Sequence, residues 1–218
     1  MSNKEKAALF CNIVLILLTV IGSYMAYASF GAGMIRFYTV DSNLLCLISS
    51  VLYVVFLLMK KSQQEIPFAV AVLRFVASIC LVITFTVTVA YLAPVRIMVP
   101  DGSFLENLFI LLTQASMLYQ HLLYPVISFI SFCFFEGDRR LNKKKTIWYA
   151  VLTTFTYGII LIILNILHKV DGPYPFLKVT ENPPVYIVII IIILIVNYFV
   201  ARAMLVLNQK NALRRKRT

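Results

Sequence analysis

The sequence predicts an all-α polytopic membrane protein with six transmembrane helices and both termini cytoplasmic, on three observations. Of 218 residues, 61% are hydrophobic and only 13% are charged, far too apolar for an ordinary soluble domain. Apolar stretches of about 20 residues, long enough to span the bilayer core as a helix, recur six times between short polar breaks. The cations fall on alternate breaks. Lys4, Lys6, Lys60, Lys61, Arg139, Arg140, Lys143 to Lys145, Lys210 and Arg214 to Arg217 share the side of the N-terminus, against Arg36, Arg96, Lys169 and Lys178 opposite. The excess of Lys and Arg marks the cytoplasmic side.

The net charge of +11 is thereby a topology signal, and nucleic-acid binding is not needed to explain it. The basic tail, residues 207–218, also offers a surface to anionic lipid headgroups. The spans are expected over Ala7 to Ala28, Asp41 to Met59, Phe68 to Leu92, Ser116 to Phe135, Ile147 to Leu167 and Val185 to Val206. Almost nothing lies outside them, so the chain reads as a single transmembrane domain over 1–218, and any chemistry must be built from helices and short loops.

The first run lacks a small-residue cleavage site and is long enough to span, so it is expected to be retained as a helix. It ends near "YASFGAGMIRFYTVDSN", where Gly31 and Gly33 mark a loop. In the second span Thr39, Ser42, Cys46, Ser49 and Tyr53 are spaced by 3 or 4 residues, one helical face that should look into the bundle. Small and hydroxylated residues also let membrane helices approach closely. For Thr39, Asp41 and Asn43 at the outer mouth, helix capping and a site role are both open.

The third span carries Arg74 about two turns from its cytoplasmic end, where it is expected to snorkel to the inner interface. Leu105 to Phe135 stays apolar for about 31 residues, or ~46 Å as a straight helix, more than the ~30 Å hydrocarbon core requires. "LENLFILLTQ" is therefore expected as an outer-interface helix or re-entrant piece, with the span beginning at Ser116.

Within that span, "YQHLLYPVIS" holds His121, the only histidine in the apolar runs. An ionisable group at membrane depth is costly to keep and marks a functional site by default, the alternative being a helix-packing hydrogen bond. Pro125 removes a backbone hydrogen bond one turn later and should bend the helix there. Gln114, His121 and Ser128 share a heptad-spaced face. The fifth span carries Thr154, Tyr157, Gly158 and Asn165 and exits at His168. The turn-rich loop "HKVDGPYPFLKVTENPP" follows, and the sixth span, with Asn197 its one polar residue at depth, is assigned to packing. Cys11, Cys46, Cys80 and Cys133 lie in apolar runs without CxxC spacing and read as packing residues. No metal or cofactor is expected.

On this topology Thr39, Asp41, Asn43, His121, His168 and the "YPFL" loop meet at or just beneath the outer surface. A hydroxyl beside an imidazole that a third group orients is the general arrangement for acyl transfer, and threonine needs a base within about 3 Å to act.

"RFYTVDSNLL", "QHLLYPVISFISF" and "DGPYPFL", in that order, resemble the androgen-induced-gene and androgen-dependent TFPI-regulating protein family, multi-pass hydrolases of fatty acid esters of hydroxy fatty acids. A group of six-helix bacterial membrane proteins is also similar and shares the Thr-x-x-Ser-Asn motif. The resemblance implies an intramembrane threonine and histidine as catalytic pair, at Thr39 and His121, while the "DSN" after Thr39 follows the bacterial group. It points to a threonine-type lipid ester hydrolase of the cell membrane, acting on a membrane lipid or fatty acid ester. Asp41, Ser42 or Asn43 would orient the base or stabilise charge, Asn43 and Gln114 would be the side-chain oxyanion donors, and Tyr174 and Phe176 would line the mouth. The competing class is a lipid or small-molecule binding or transport protein with His121 as ligand or proton carrier.

Overall fold

The computed structural model describes residues 1–61, 64–141, 144–178 and 183–214, with side chains described to 212. Its elements are helices: α1 (Asn3–Phe30), α2 (Tyr38–Met59), α3 (Phe68–Val87), a short α4 (Phe104–Thr113), α5 (Tyr124–Ile130), α6 (Lys144–Ile166) and α7 (Pro183–Arg214). With their continuations, six are long and apolar enough to cross a bilayer: Asn3–Arg36, Tyr38–Met59, Phe68–Leu92, Leu118–Phe135, Lys144–Ile166 and Pro184–Ala212. The protein is an all-α multi-pass membrane protein. The third span coincides with the expected one. The first and last run further into the interface, because polar caps such as the Ser2–Glu5 capping box extend helices beyond their apolar stretch. Residues 215–218 of the basic tail lie outside the described residues.

α3 is the central helix. Phe75, Ile79, Leu81 and Ile83 on it are almost wholly buried, and it packs against α2, α5, α6 and α7. The polar face of α2 looks inward as its spacing demands: Thr39, Ser42, Cys46, Ser49 and Tyr53 are all buried. Lipid-facing surfaces are apolar instead, as on α7 with Ile187, Ile191 and Ile195 about half exposed, because hydrocarbon imposes no penalty on exposed isoleucine.

The expected bend near Pro125 takes the form of a widened turn. Proline has no N–H to return to the carbonyl of His121, and over Leu118–Leu123 the helix is π-wound, the Tyr124 N–H bonding to the Tyr119 carbonyl. Two further π-turns, Thr88–Leu92 and Ser131–Phe135, occur at the ends of spans. π-turns insert one residue and re-aim the side chains around them, and here they carry Thr88, His121 and Ser131 into the bundle.

The expectation for Arg74 is overturned. It does not snorkel: its side chain is 1% exposed and forms a bidentate pair with Glu136, itself 2% exposed, at Nε–Oε2 3.0 Å and Nη2–Oε1 2.9 Å. Asn12 Nδ2 donates to the same carboxylate at 2.8 Å and Ser131 Oγ at 2.5 Å. Arg74 Nη1 donates to Ser49 Oγ and Ser50 Oγ at 3.3 and 3.2 Å and contacts the Cys46 sulfur. The reason is geometric. Glu136, the residue after the last π-turn, reaches back into the bundle, and a carboxylate at 2.9 Å removes the incentive to seek water.

Asn197 also has a specific partner: its Nδ2 donates to Thr154 Oγ1 at 2.6 Å, and that oxygen meets the Tyr38 hydroxyl at 2.8 Å. This network pins α7 and α6 to the start of α2.

Candidate active site

Thr39 is the second residue of α2, and its position follows from the turn before it. Gly31 adopts φ 56° and caps α1, and a tight 3₁₀ turn over Gly31–Arg36 reverses the chain. Helix α2 therefore starts with Thr39 in its first turn, at the electropositive end of the helix; the Val40 and Asp41 amides bond to the Phe37 carbonyl, and the Thr39 amide donates to a tyrosine hydroxyl. Thr39 and His121 are 5% and 8% exposed, and Thr39 Oγ1 lies 3.4 Å from His121 Nε2.

The third group, which orients the imidazole, is a backbone carbonyl. His121 Nδ1 is 2.8 Å from the Leu111 oxygen; a carbonyl only accepts, so Nδ1 carries a proton, and in the neutral form of the ring this leaves Nε2 bare toward Thr39. That carbonyl is free because α4 stops there. Ala115 has φ 47°, a left-handed residue at which the helix cannot continue. The expected outer-interface helix thus ends in the ligand that sets the histidine tautomer.

Tyr174 completes the cluster. Its hydroxyl is 3.1 Å from Thr39 Oγ1 and 3.4 Å from the Thr39 amide nitrogen. Burial pushes that hydroxyl above the usual phenol range, against the opposing effect of the hydrogen bond from Thr39, so it remains a neutral donor. It comes from the Asp171–Leu177 loop, which folds inward on a 3₁₀ turn, Pro175–Leu177. Phe176 stacks on Tyr174 with centroids 5.4 Å apart and planes at 2°, and Tyr91 packs edge-on against Phe176. Gly172 makes the turn possible: a Cβ there would meet the Leu177 backbone at 2.9–3.1 Å from its carbonyl and the next amide.

The other expected site residues divide. Ser42 is buried beside the pair, its Oγ donating to the Thr39 carbonyl at 2.9 Å and meeting Thr84 Oγ1 at 3.3 Å. Asn43 is 2% exposed with an Oδ1 that has no partner; it sits one turn below Thr39 on the same face. Asp41 is half-buried and close enough to act electrostatically on the Tyr174 hydroxyl, while the group within hydrogen-bond distance of the imidazole is the Leu111 carbonyl. Gln114 is exposed at the break after α4, and His168 is exposed with φ 53° after α6, so neither reaches the pair. The cysteines are free thiols, and the described residues contain no cluster of His, Cys, Asp and Glu able to hold a metal ion.

Beside the hydroxyls lies a cavity of about 690 Å³ of empty space, mouth included, lined by Thr39, Tyr174, Val87, Phe176, Ile162 and Ile190 among others. Its wall toward α6 and α7 includes Gly158, around which there is open space, and Phe155 and Ile159, whose side chains face the lipid. A long apolar chain fits this lining, with polar groups confined to the Thr39 end and to Thr154. No family model, curated protein or solved structure matches the chain.

Proposed function

We propose that the protein is an intramembrane threonine-type hydrolase of lipid esters, of the fatty acid ester of hydroxy fatty acid type or similar, working near the outer leaflet of the cell membrane. The observation that carries this is the Thr39–His121 contact in a tautomer suited to a base, with an apolar cavity beginning at the same hydroxyl. The sequence resemblance points the same way.

In this mechanism Thr39 Oγ1 attacks the ester carbonyl while His121 Nε2 takes its proton. The 3.4 Å separation is long, as catalytic hydrogen bonds often are before substrate closes the site. The carbonyl oxygen becomes an oxyanion, with the Tyr174 hydroxyl and the Thr39 amide, both beside the nucleophile, as its donors in place of the Gln114 side chain. The Leu111 carbonyl stabilises the imidazolium. Collapse breaks the ester C–O bond, the departing alkoxide takes the proton from Nε2, and water attacks the acyl-threonine with His121 again as base, releasing the carboxylic acid.

The test is labelling of detergent-purified protein with a fluorophosphonate hydrolase probe. The wild type should label, and Thr39→Ala and His121→Ala should each lose labelling and ester turnover by about a thousandfold or more. No labelling of any form, in folded protein with probe access confirmed, would transfer His121 to the competing role of ligand or proton carrier in a binding or transport protein.

A further inference from the structure

At the cytoplasmic end, under the Arg74–Glu136 pair, a second and larger cavity holds about 1880 Å³ of empty space, mouth included. It plays no part in the ester chemistry above and lies at the other end of the bundle. Four carboxylates line it, and each is already engaged by a cation: Glu5 by Lys60, Glu136 by Arg74, Asp138 and Glu65 by Arg140. Three cations consume them all. Lys61 and Arg139, which line the same cavity, are left exposed and have no carboxylate partner among the described residues. A concave site with two uncommitted cations and no uncommitted carboxylate favours an anion.

The depth of the site selects the kind of anion. Leu57 and Leu58 form the last turn of α2 and also line the cavity; Leu58 is 61% exposed, facing hydrocarbon, and Lys61 follows it within one turn's length of chain. Ile66 adds a second apolar wall. Apolar surface adjoining free cations in one cavity matches an acyl chain beside its phosphate. The geometry points to a binding site for one anionic glycerophospholipid of the inner leaflet, its phosphodiester held between Lys61 and Arg139 and its acyl chain against Leu58. Ala212, near the start of the basic tail's cations, also lines the cavity, and Arg74 and Glu136 line it on the bundle side.

The proposal is tested by native mass spectrometry of the full chain purified in mild detergent doped with phosphatidylglycerol or phosphatidylcholine. The wild type should retain one phosphatidylglycerol per chain in preference to phosphatidylcholine. A Lys61→Ala/Arg139→Ala double variant should bind it about tenfold more weakly, while Lys61→Arg should bind as wild type. A variant with Arg214, Arg215, Lys216 and Arg217 all changed to Ala should retain the lipid, separating the cavity from the tail. Equal retention of phosphatidylcholine, undiminished binding by the double variant, or loss of the lipid only in the tail variant would overturn the assignment. So would competition by inorganic phosphate at the same concentration, which would make the ligand a soluble phosphate. Both substituted side chains are exposed, so the double variant is expected to fold; elution at the wild-type volume checks this.

Discussion

Two buried polar clusters divide the bundle, and they are built on opposite principles. The inner one, around Arg74 and Glu136, is charged and its charges are paired: the carboxylate accepts from Arg74, Asn12 and Ser131, and the guanidinium also reaches Ser49 and Ser50, drawing on α1, α2, α3 and the π-turn after α5, while the Asn12 Oδ1 is left without a partner. The outer one, around Thr39, His121 and Tyr174, is neutral, its hydroxyl contacts are long at 3.1 and 3.4 Å, and empty space adjoins it. A cluster whose buried charges are paired and tied to four segments stabilises a fold. One with spare hydrogen-bonding capacity beside a void is arranged to receive something else.

The contrast makes predictions of decreasing size. Glu136→Ala leaves the Arg74 guanidinium buried without a counter-charge, at a cost of about 3–5 kcal/mol; it should abolish recovery of monodisperse protein by size-exclusion chromatography. A folded, fully stable variant would mean that water or lipid reaches Arg74. Tyr174→Phe removes one oxyanion donor and leaves the packing on Phe176 intact, so ester turnover should drop about a hundredfold with the thermal midpoint nearly unchanged. If the midpoint dropped and the rate did not, the two clusters would share one structural role.

Gly158→Leu puts a side chain into open space at the cavity wall. It should raise KM for long-chain esters by about tenfold, roughly the discrimination an apolar pocket achieves over one or two methylenes, and leave short-chain esters unaffected; equal effects on both would place the acyl chain elsewhere. The smallest effect is expected at Ala115, whose φ of 47° favours glycine. Ala115→Gly should stabilise by about 1 kcal/mol and keep activity, whereas Ala115→Val should lose both, because the turn that frees the Leu111 carbonyl would shift.

Much of this was legible in the linear chain. The inward face of α2 could be read from its 3–4 spacing, the α4 interface helix from an apolar run too long to span, and the importance of His121 from the rarity of histidine in hydrocarbon. What was not legible shares a cause. Side chains such as Asp41 or Asn43 were expected to orient the base, and Gln114 to donate to an oxyanion, because side chains are what a sequence displays; the group that meets the imidazole Nδ1 is a main-chain carbonyl on Leu111, a residue type carrying no such signal, and Gln114 is exposed. Arg74 was assigned to the interface because its partner, Glu136, is 62 residues away in the sequence and sits in a stretch that reads as solvent-exposed.

Composition and charge by themselves determined that the chain crosses a membrane six times with its basic breaks on one side, since hydropathy and the positive-inside preference are properties of single segments and need no partner. Which helices touch, that a π-turn aims His121 at Thr39, that the Tyr174 loop folds inward and that Arg74 stays buried were decided only in the tertiary structure. Each of these depends on a hydrogen bond between groups brought together across helices, and hydrocarbon, which leaves no polar group unpartnered without penalty, makes those bonds the deciding energy.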